Sequence, residues 1–280
     1  MSALPEKELQ FESETMPYEA GETLKNIAIG PMRVSALSAH ELTRRLIGHT
    51  FGKKTHHVVT ANAQFYVLAE RDEMFRRCVE EAQYVCADGV SVVMACKWLG
   101  KADISRLAGV DLIPMLCEQA AALGLPIYFL GGKPGSAAQS ASLLMRQYPG
   151  LKVAGIGCPP VGFQDDPEEL QEVLECLKVA KPAIVFVALG APHQEFFIQQ
   201  HVRALNIPVA MGVGGSFEMI SGKVQRAPGW IRRGGMEWAY RLAQEPRRLG
   251  KRYLVGNTLF SFYVMRYFLS RSWREARRAL

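Results

Sequence analysis

KPAIVFVALGAPHQEFFIQQHVRALNIPVAMGVGGSFEMISG, from Lys181 to Gly222, passes twice through strand, glycine turn and helix. Val185–Leu189 and Val209–Val213 are apolar runs of strand length without polar interruption. Such runs suit parallel strands covered on both faces. The first ends at Gly190 and the second at Gly212, Gly214 and Gly215, and helices are expected to open at Pro192 and near Ser216. Two neighbouring strand ends would then aim helix N-termini at one crevice. Backbone N–H groups and helix dipoles there favour an anion, most often a phosphate.

The same alternation extends back to Thr55. Strands are expected at His57–Ala61, Tyr84–Ala87, Ile127–Leu130 and Val153–Ile156. Helices are expected from about Gln64 and over Asp72–Ala82, Val90–Leu99, Gly109–Leu123, Ser136–Tyr148 and Pro167–Lys178. Ile27–Val34 reads as a hairpin turning at Gly30-Pro31. Ser38 with Glu41 three residues on forms a capping box for a helix over Ser38–Gly48. Strand–helix alternation predicts an α/β fold, a three-layer Rossmann-like arrangement around a mainly parallel sheet. Residues 1–24 are polar and read as a tail. Residues 25–222 form the α/β unit, and residues 223–280 a basic, amphipathic, largely helical appendage.

The net charge of +6 is distributed unevenly. Lys223–Leu280 holds fourteen Lys/Arg against three Glu, which leaves Met1–Gly222 at −5. A basic segment of this kind serves nucleic acid, anionic lipid or a diphosphate substrate. Within it, Tyr253–Leu269 is apolar and aromatic, at about 17 residues short for a span and suited to a bilayer interface. An anionic membrane surface is therefore the expected partner, and nucleic acid is not. The six cysteines show no C-x-x-C and no framework spacing, and most read as buried free thiols. That fits a reducing cytosol, and no signal peptide is visible in Met1–Ala20.

Asp88 ends a strand just before a glycine, where parallel sheets place their ligands. A carboxylate there acts as a general base on a hydroxyl, or caps the following helix. Thr60 and Asn62 close the preceding strand with short polar side chains, for a sugar or phosphate oxygen or, at Asn62, for an N-cap. Arg106 stands in a loop, to neutralise a diphosphate or to be solvated. Gly131 and Gly132 open the GGKPG turn, which is not a Walker A loop and reads as a phosphate cradle or as an ordinary tight turn. Gly155-x-Gly157 lacks the third glycine of the dinucleotide fingerprint. Gln194 reads as a sugar ligand and Glu195 as a complement to the helix dipole. No metal-ligand spacing is present, so no metal is expected.

Seven motifs now stand in order: TAN at Thr60–Asn62, ADG at Ala87–Gly89, RLAGVDL at Arg106–Leu112, FLGGKPG at Phe129–Gly135, FVALGAPHQE at Phe186–Glu195, GVGGSFE at Gly212–Glu218 and RAPGWIRRGGMEWAYRLAQEPRR at Arg226–Arg248. Together they closely resemble the WecG/TagA/CpsF glycosyltransferases, which make bacterial surface polysaccharides and teichoic acid linkage units. The resemblance runs from about Asn26 to Tyr253. It implies an inverting, metal-independent hexosyltransferase with no cofactor beyond a UDP-sugar co-substrate. The acceptor it implies is a polyprenyl-diphosphate-linked saccharide at the cytoplasmic face of the cell membrane, in exopolysaccharide or other surface polysaccharide synthesis. The donors used across the family include N-acetylmannosamine, its uronic acid and glucose.

By this resemblance Asp88 matches the catalytic base, and Thr60, Asn62, Arg106 and Gln194 match pocket residues around donor and acceptor. Glu218 falls where the family usually has an Asp touching the nucleoside. Gly131, Gly132 and Gly214 complete the substrate-binding set from the glycine-turn reading. Arg241 and Arg248 match arginines that close over the diphosphate, and the next falls at Lys251 or Arg252. A homo-oligomer is left open. The rival readings are another Rossmann-like nucleotide enzyme, which the incomplete G-x-G disfavours, and a nucleic-acid-binding protein, which the long apolar run disfavours.

Overall fold

The computed structural model describes residues 24–100, 104–233 and 235–278, with side chains for all of these except 100, 232–233, 248–249, 251–253 and 271–278. The N-terminal tail therefore lies outside the described residues but for its last position. The chain opens with an antiparallel hairpin of β1 (Asn26–Ile29) and β2 (Met32–Ser35), a small sheet of its own. Next come α1 (Ala39–His49), β3 (His56–Ala61), α2 (Ala63–Arg71), α3 (Glu73–Glu80), β4 (Tyr84–Ala87), α4 (Val90–Gly100) and α5 (Gly109–Leu123). β5 (Pro126–Gly131), α6 (Ser136–Gln147), β6 (Lys152–Gly157), α7 (Pro167–Ala180) and β7 (Ile184–Ala188) follow. After them come α8 (His193–Phe197), β8 (Val209–Gly212) and α9 (Ser216–Ile220). Among its described residues the appendage is largely helical: α10 (Gly229–Arg233), α11 (Glu237–Gln244) and the 33-residue α12 (Pro246–Arg278).

Strands β3 to β8 form one sheet in the order β4-β3-β8-β7-β5-β6, and every pairing is parallel. The sheet is thus wholly, not mainly, parallel. Both faces are buried, and alternate residues serve opposite cores. Val58, Phe129, Ile184, Phe186 and Met211 pack with α1, α5, α6 and α9 through Leu42, Leu112, Leu116, Leu144 and Phe217. Their neighbours Val59 and Val85 face the hairpin, α2, α3 and α4. Tyr128, Leu130, Val185 and Val187 face α7 and α8.

The Ser38 half of the capping box read from sequence is in place, and Asp166 and Gly124 supply further caps. Ser38 Oγ accepts from Glu41 N at 3.1 Å, and Asp166 Oδ1 accepts from Glu168 N and Glu169 N. Gly124 ends α5 in the left-handed region at φ +63°. The helix expected after Pro192 is irregular. Five α-helical residues give way to a π turn at Ile198–Val202 and a 3₁₀ turn at Arg203–Leu205. Four cysteines are buried as expected, whereas Cys158 and Cys176 are exposed.

α12 lies on the body rather than apart from it. Phe260 and Val264, both 5% exposed, join the core that holds Tyr66, Phe65 and Val92. Phe260 meets Tyr66 edge-on at 5.1 Å and Phe268 stacks on Trp98 at 4.4 Å. Arg266 pairs with Glu70 at 3.1 Å. Leu254, Val255, Phe262, Met265 and Leu269 are exposed on the opposite side of the same helix. At 100° per residue they form a stripe about half a turn from Phe260 and Val264. No described helix is long and apolar enough to cross a membrane.

Candidate active site

The carboxyl ends of β3, β4, β5, β7 and β8 open into a single cleft of about 1050 Å³. This is the end of a parallel sheet, near the reversal of strand order, where ligands are expected. The fold brings Thr60, Asn62, Asp88, Arg106, Gly131, Gly132, Gln194, Gly214, Glu218 and Arg241 together along its wall. Residues as far apart in sequence as Thr60 and Arg241 thus share one space. Arg248 and Arg252 are on α12, but their side chains lie outside the described residues, as does that of Lys251. Gly256 and Asn257 of the same helix reach the cleft mouth.

Asp88 follows β4 directly, its N–H bonded to Ala61 O at 2.9 Å, so the sheet edge fixes its backbone. Among the described residues no hydrogen bond or ion pair engages its carboxylate. Burial pushes its pKa up to about 6, against the pull of Arg106 and Arg241 and with the push of Glu237 and Asp111. A carboxylate with that value is half ionised near pH 6 and accepts a proton readily at neutral pH.

Other expected ligands are tied into the protein. Thr60 Oγ1 donates to Gly212 O at 2.7 Å, joining β3 to β8. Asn62 caps α2, its Oδ1 accepting from Gln64 N at 2.9 Å, and the same residue lines the cleft. Gln194 is 1% exposed. Its Oε1 accepts from Gly190 N at 3.1 Å and from Gly214 N at 3.0 Å, so one amide clamps the turns after β7 and β8. Glu218, 7% exposed, accepts from Lys133 N at 2.7 Å through Oε1 and pins the GGKPG turn, while its buried Oε2 has no partner among the described residues.

These bonds revise the phosphate-cradle reading. The amides of Gly132, Lys133, Gly190 and Gly214 already serve Ala188 O, Glu218 and Gln194. Side chains, not these turn amides, are left to meet an anion. Glu195 also departs from its sequence reading. It is 0% exposed, and its Oε1 accepts from Gln194 Nε2 at 2.7 Å, so it serves the clamp rather than the helix dipole. At Gly155 a side chain would strike the Tyr128 ring, which gives that glycine a packing reason.

Arg106 is neither solvated nor free. It pairs with Glu237 at 2.6 Å and Asp111 at 3.5 Å. Arg226 pairs with the same two acids, Asp111 at 2.6 Å and Glu237 at 3.5 Å. The four form an alternating ring joining the loop before α5, the first turn of α5, the segment after α9 and the start of α11. Glu237 is its most buried member, at 8% side-chain exposure against 24% for each arginine. Arg241 stands one turn along α11 from Glu237, with its guanidinium beside Gly215 and its Nε buried and without a hydrogen bond among the described residues. The sequence reading missed Asp111, Arg226 and Glu237 as site residues. The only signal was opposite charge inside motifs already noted, and partners more than 100 residues apart are not legible from spacing.

The clamp makes a position in β8 sensitive. A Cβ on Gly212 would lie 2.5 Å from Gln194 Nε2 and 2.7 Å from Glu195 Oε1, two hydrogen-bonded and buried atoms. Gly212→Ala is expected to cost about 1–3 kcal/mol, the usual penalty for overpacking. A lower denaturant midpoint with an unchanged m-value would register it, and an unchanged midpoint would show that the clamp yields freely.

Residues 27–274 match the model of the glycosyl transferase WecG/TagA/CpsF family. A relative from Bacillus spizizenii, an N-acetylglucosaminyldiphosphoundecaprenol N-acetyl-beta-D-mannosaminyltransferase, is 36% identical over 191 residues. The match spans 68% of this chain and 72% of that protein.

Proposed function

The chain belongs to the WecG/TagA/CpsF glycosyltransferase family, and from that premise we propose that it moves a sugar from a UDP-sugar to a polyprenyl-diphosphate-linked saccharide with inversion. The observation that supports this most is Asp88: a partnerless carboxylate in the cleft at the sheet edge, with burial and two arginines setting its proton affinity. In the proposed step Asp88 removes the proton from the acceptor hydroxyl. The acceptor oxygen bonds the anomeric carbon as the bond to the UDP oxygen breaks, and UDP leaves with the electron pair. A base on one side and charge stabilisation on the other are what an inverting displacement needs.

The leaving diphosphate carries the developing charge. Arg106 and Arg241 stand near enough to Asp88 to pull on its proton, and Arg248 and Arg252 follow on the next helix. Arginine forks suit a diphosphate without need of a metal ion. The unpartnered Oε2 of Glu218 is an acceptor suited to a nucleoside hydroxyl. The donor sugar we propose first is N-acetylmannosamine, from the activity named for the Bacillus spizizenii relative, with its uronic acid and glucose as competitors.

We place the enzyme on the inner face of the cell membrane. The exposed apolar stripe of α12, with Trp230 and Trp238 nearby in sequence and the +11 segment around them, supports a lipid-facing dock for an insoluble acceptor. The test is a donor screen of UDP-N-acetylmannosamine, its uronic acid and UDP-glucose on a synthetic polyprenyl-diphosphate N-acetylglucosamine. Turnover of one UDP-sugar is the expected result. No turnover of any, with stabilisation by NAD and not by UDP in a thermal-shift assay, would overturn the reading.

A further inference from the structure

We propose that Glu195 is a positioning residue for the transfer reaction, holding the Gln194 amide in the one orientation that ties the β7 and β8 turns together under the cleft. The inference rests on the sugar-nucleotide reading above only for its kinetic consequence. The structural half stands on hydrogen-bond logic alone.

Two backbone donors, Gly190 N–H and Gly214 N–H, converge on Gln194, so the side chain must offer them its oxygen. Its NH₂ group then points away and needs an acceptor in a place closed to water. Glu195 Oε1 supplies that acceptor at 2.7 Å. A flipped amide would set its NH₂ against the Gly190 N–H and against the Gly214 N–H. Each mismatch leaves a buried group unsatisfied. Residues 194 and 195 are thus one device spanning two strand ends. Gly212 lies flat against both side chains, where no Cβ fits.

Nothing else accounts for a carboxyl in this position. Glu195 is 0% exposed and forms no ion pair among the described residues, and its Oε2 has no partner. Burial raises its pKa to about 8, so it is a neutral acid at pH 7, still able to accept through Oε1. The group packed beside it from α3 is the Cys78 thiol, which donates to Glu195 O at 3.2 Å and which burial also keeps protonated. A neutral acid and a glutamine amide have nearly the same shape and the same acceptor. The clamp governs the cleft directly, because Gly190 and Gly214 both line it and the space where their Cβ atoms would stand is open.

Two variants separate orientation from bulk. Glu195→Gln keeps the acceptor, while Glu195→Met keeps the volume and removes it. Amide hydrogen exchange at Gly190 and Gly214 is read first and needs no substrate. Glu195→Gln is expected to keep wild-type protection at both, and Glu195→Met to lose at least tenfold at both. Kinetics with the turned-over UDP-sugar follow. A donor KM raised tenfold or more in Glu195→Met, with kcat within about threefold and with both constants restored in Glu195→Gln, is the expected split. Equal exchange in all three proteins would overturn the proposal, as would equal damage by both variants. Should Glu195→Met fail to fold, Glu195→Asp withdraws the acceptor by one methylene and keeps the acid. Lost protection there supports the proposal, and wild-type protection overturns it. A wild type that turns over no UDP-sugar would sink the donor reading alone, since the exchange data decide the clamp independently.

Discussion

Asp88→Asn is expected to lower transfer by about 10²- to 10⁴-fold, the range for losing a positioned general base, while making the protein more stable. The two effects share one cause. Burial raises the Asp88 pKa from its ordinary value of 3.8 to about 6. A shift of two units is worth roughly 3 kcal/mol between the protonation states. The folded state holds the proton more tightly than the unfolded chain, so ionisation works against folding. That penalty is absent below about pH 4, grows as pH rises through 6, and is complete at pH 7. A neutral amide escapes it, so the variant's gain in stability should be full above pH 6 and vanish near pH 4. Wild-type activity should fall on the acid side as pH drops through about 6 and the base becomes protonated. Thermal melts and pH–rate profiles of both proteins check this. Near-full transfer by Asp88→Asn would remove Asp88 from the role of base. Lost activity with lowered stability at pH 7 would mean the carboxylate is held by partners in the fold.

The sheet was legible because its signal is local. Uninterrupted runs such as Val185–Leu189 have one physical use, and the capping residues Ser38 and Asp166 mark helix starts through bonds to residues two or three positions away. Asp88 and the glycine turns were legible as a site because the ends of parallel strands lie at one edge. What the side chains do at that edge was much less so. Gln194 and Glu195 are adjacent in sequence and sit at a helix start, where they read as a sugar ligand and a complement to the helix dipole. The structure buries both, because β7 and β8 need a clamp that only the pairing of those strands reveals. The turn amides read as anion donors for the same reason. Sequence shows that N–H groups are present, but not that Gln194 and Glu218 already take three of them, at Gly190, Gly214 and Lys133.

The appendage gives the clearest case of long-range dependence, and the second large prediction. Glu237→Gln is expected to move the acid limb of the pH–rate profile to lower pH, and Glu237→Ala to destabilise the fold by about 3 kcal/mol, the lower end for breaking a buried ion pair. Glu237 lies 2.6 Å from Arg106 and 3.5 Å from Arg226 at 8% side-chain exposure, so its removal strands charge on two half-buried guanidinium groups. Asp111 still pairs with both, which keeps the loss at the lower end. The pH effect follows from position. Glu237 and Asp111 raise the proton affinity of Asp88 while Arg106 and Arg241 lower it. Replacing the Glu237 carboxylate by an amide removes one raising charge and releases Arg106 toward Asp88. Asp111→Asn should act in the same direction but less, since the Asp111 side chain is 39% exposed and its field is better screened. Because Glu237 belongs to α11, docking of the appendage and the strength of the base are then coupled through one side chain. A Glu237→Gln profile that superimposes on wild type, in a protein of unchanged stability, would reduce the ring to a surface decoration and break that coupling.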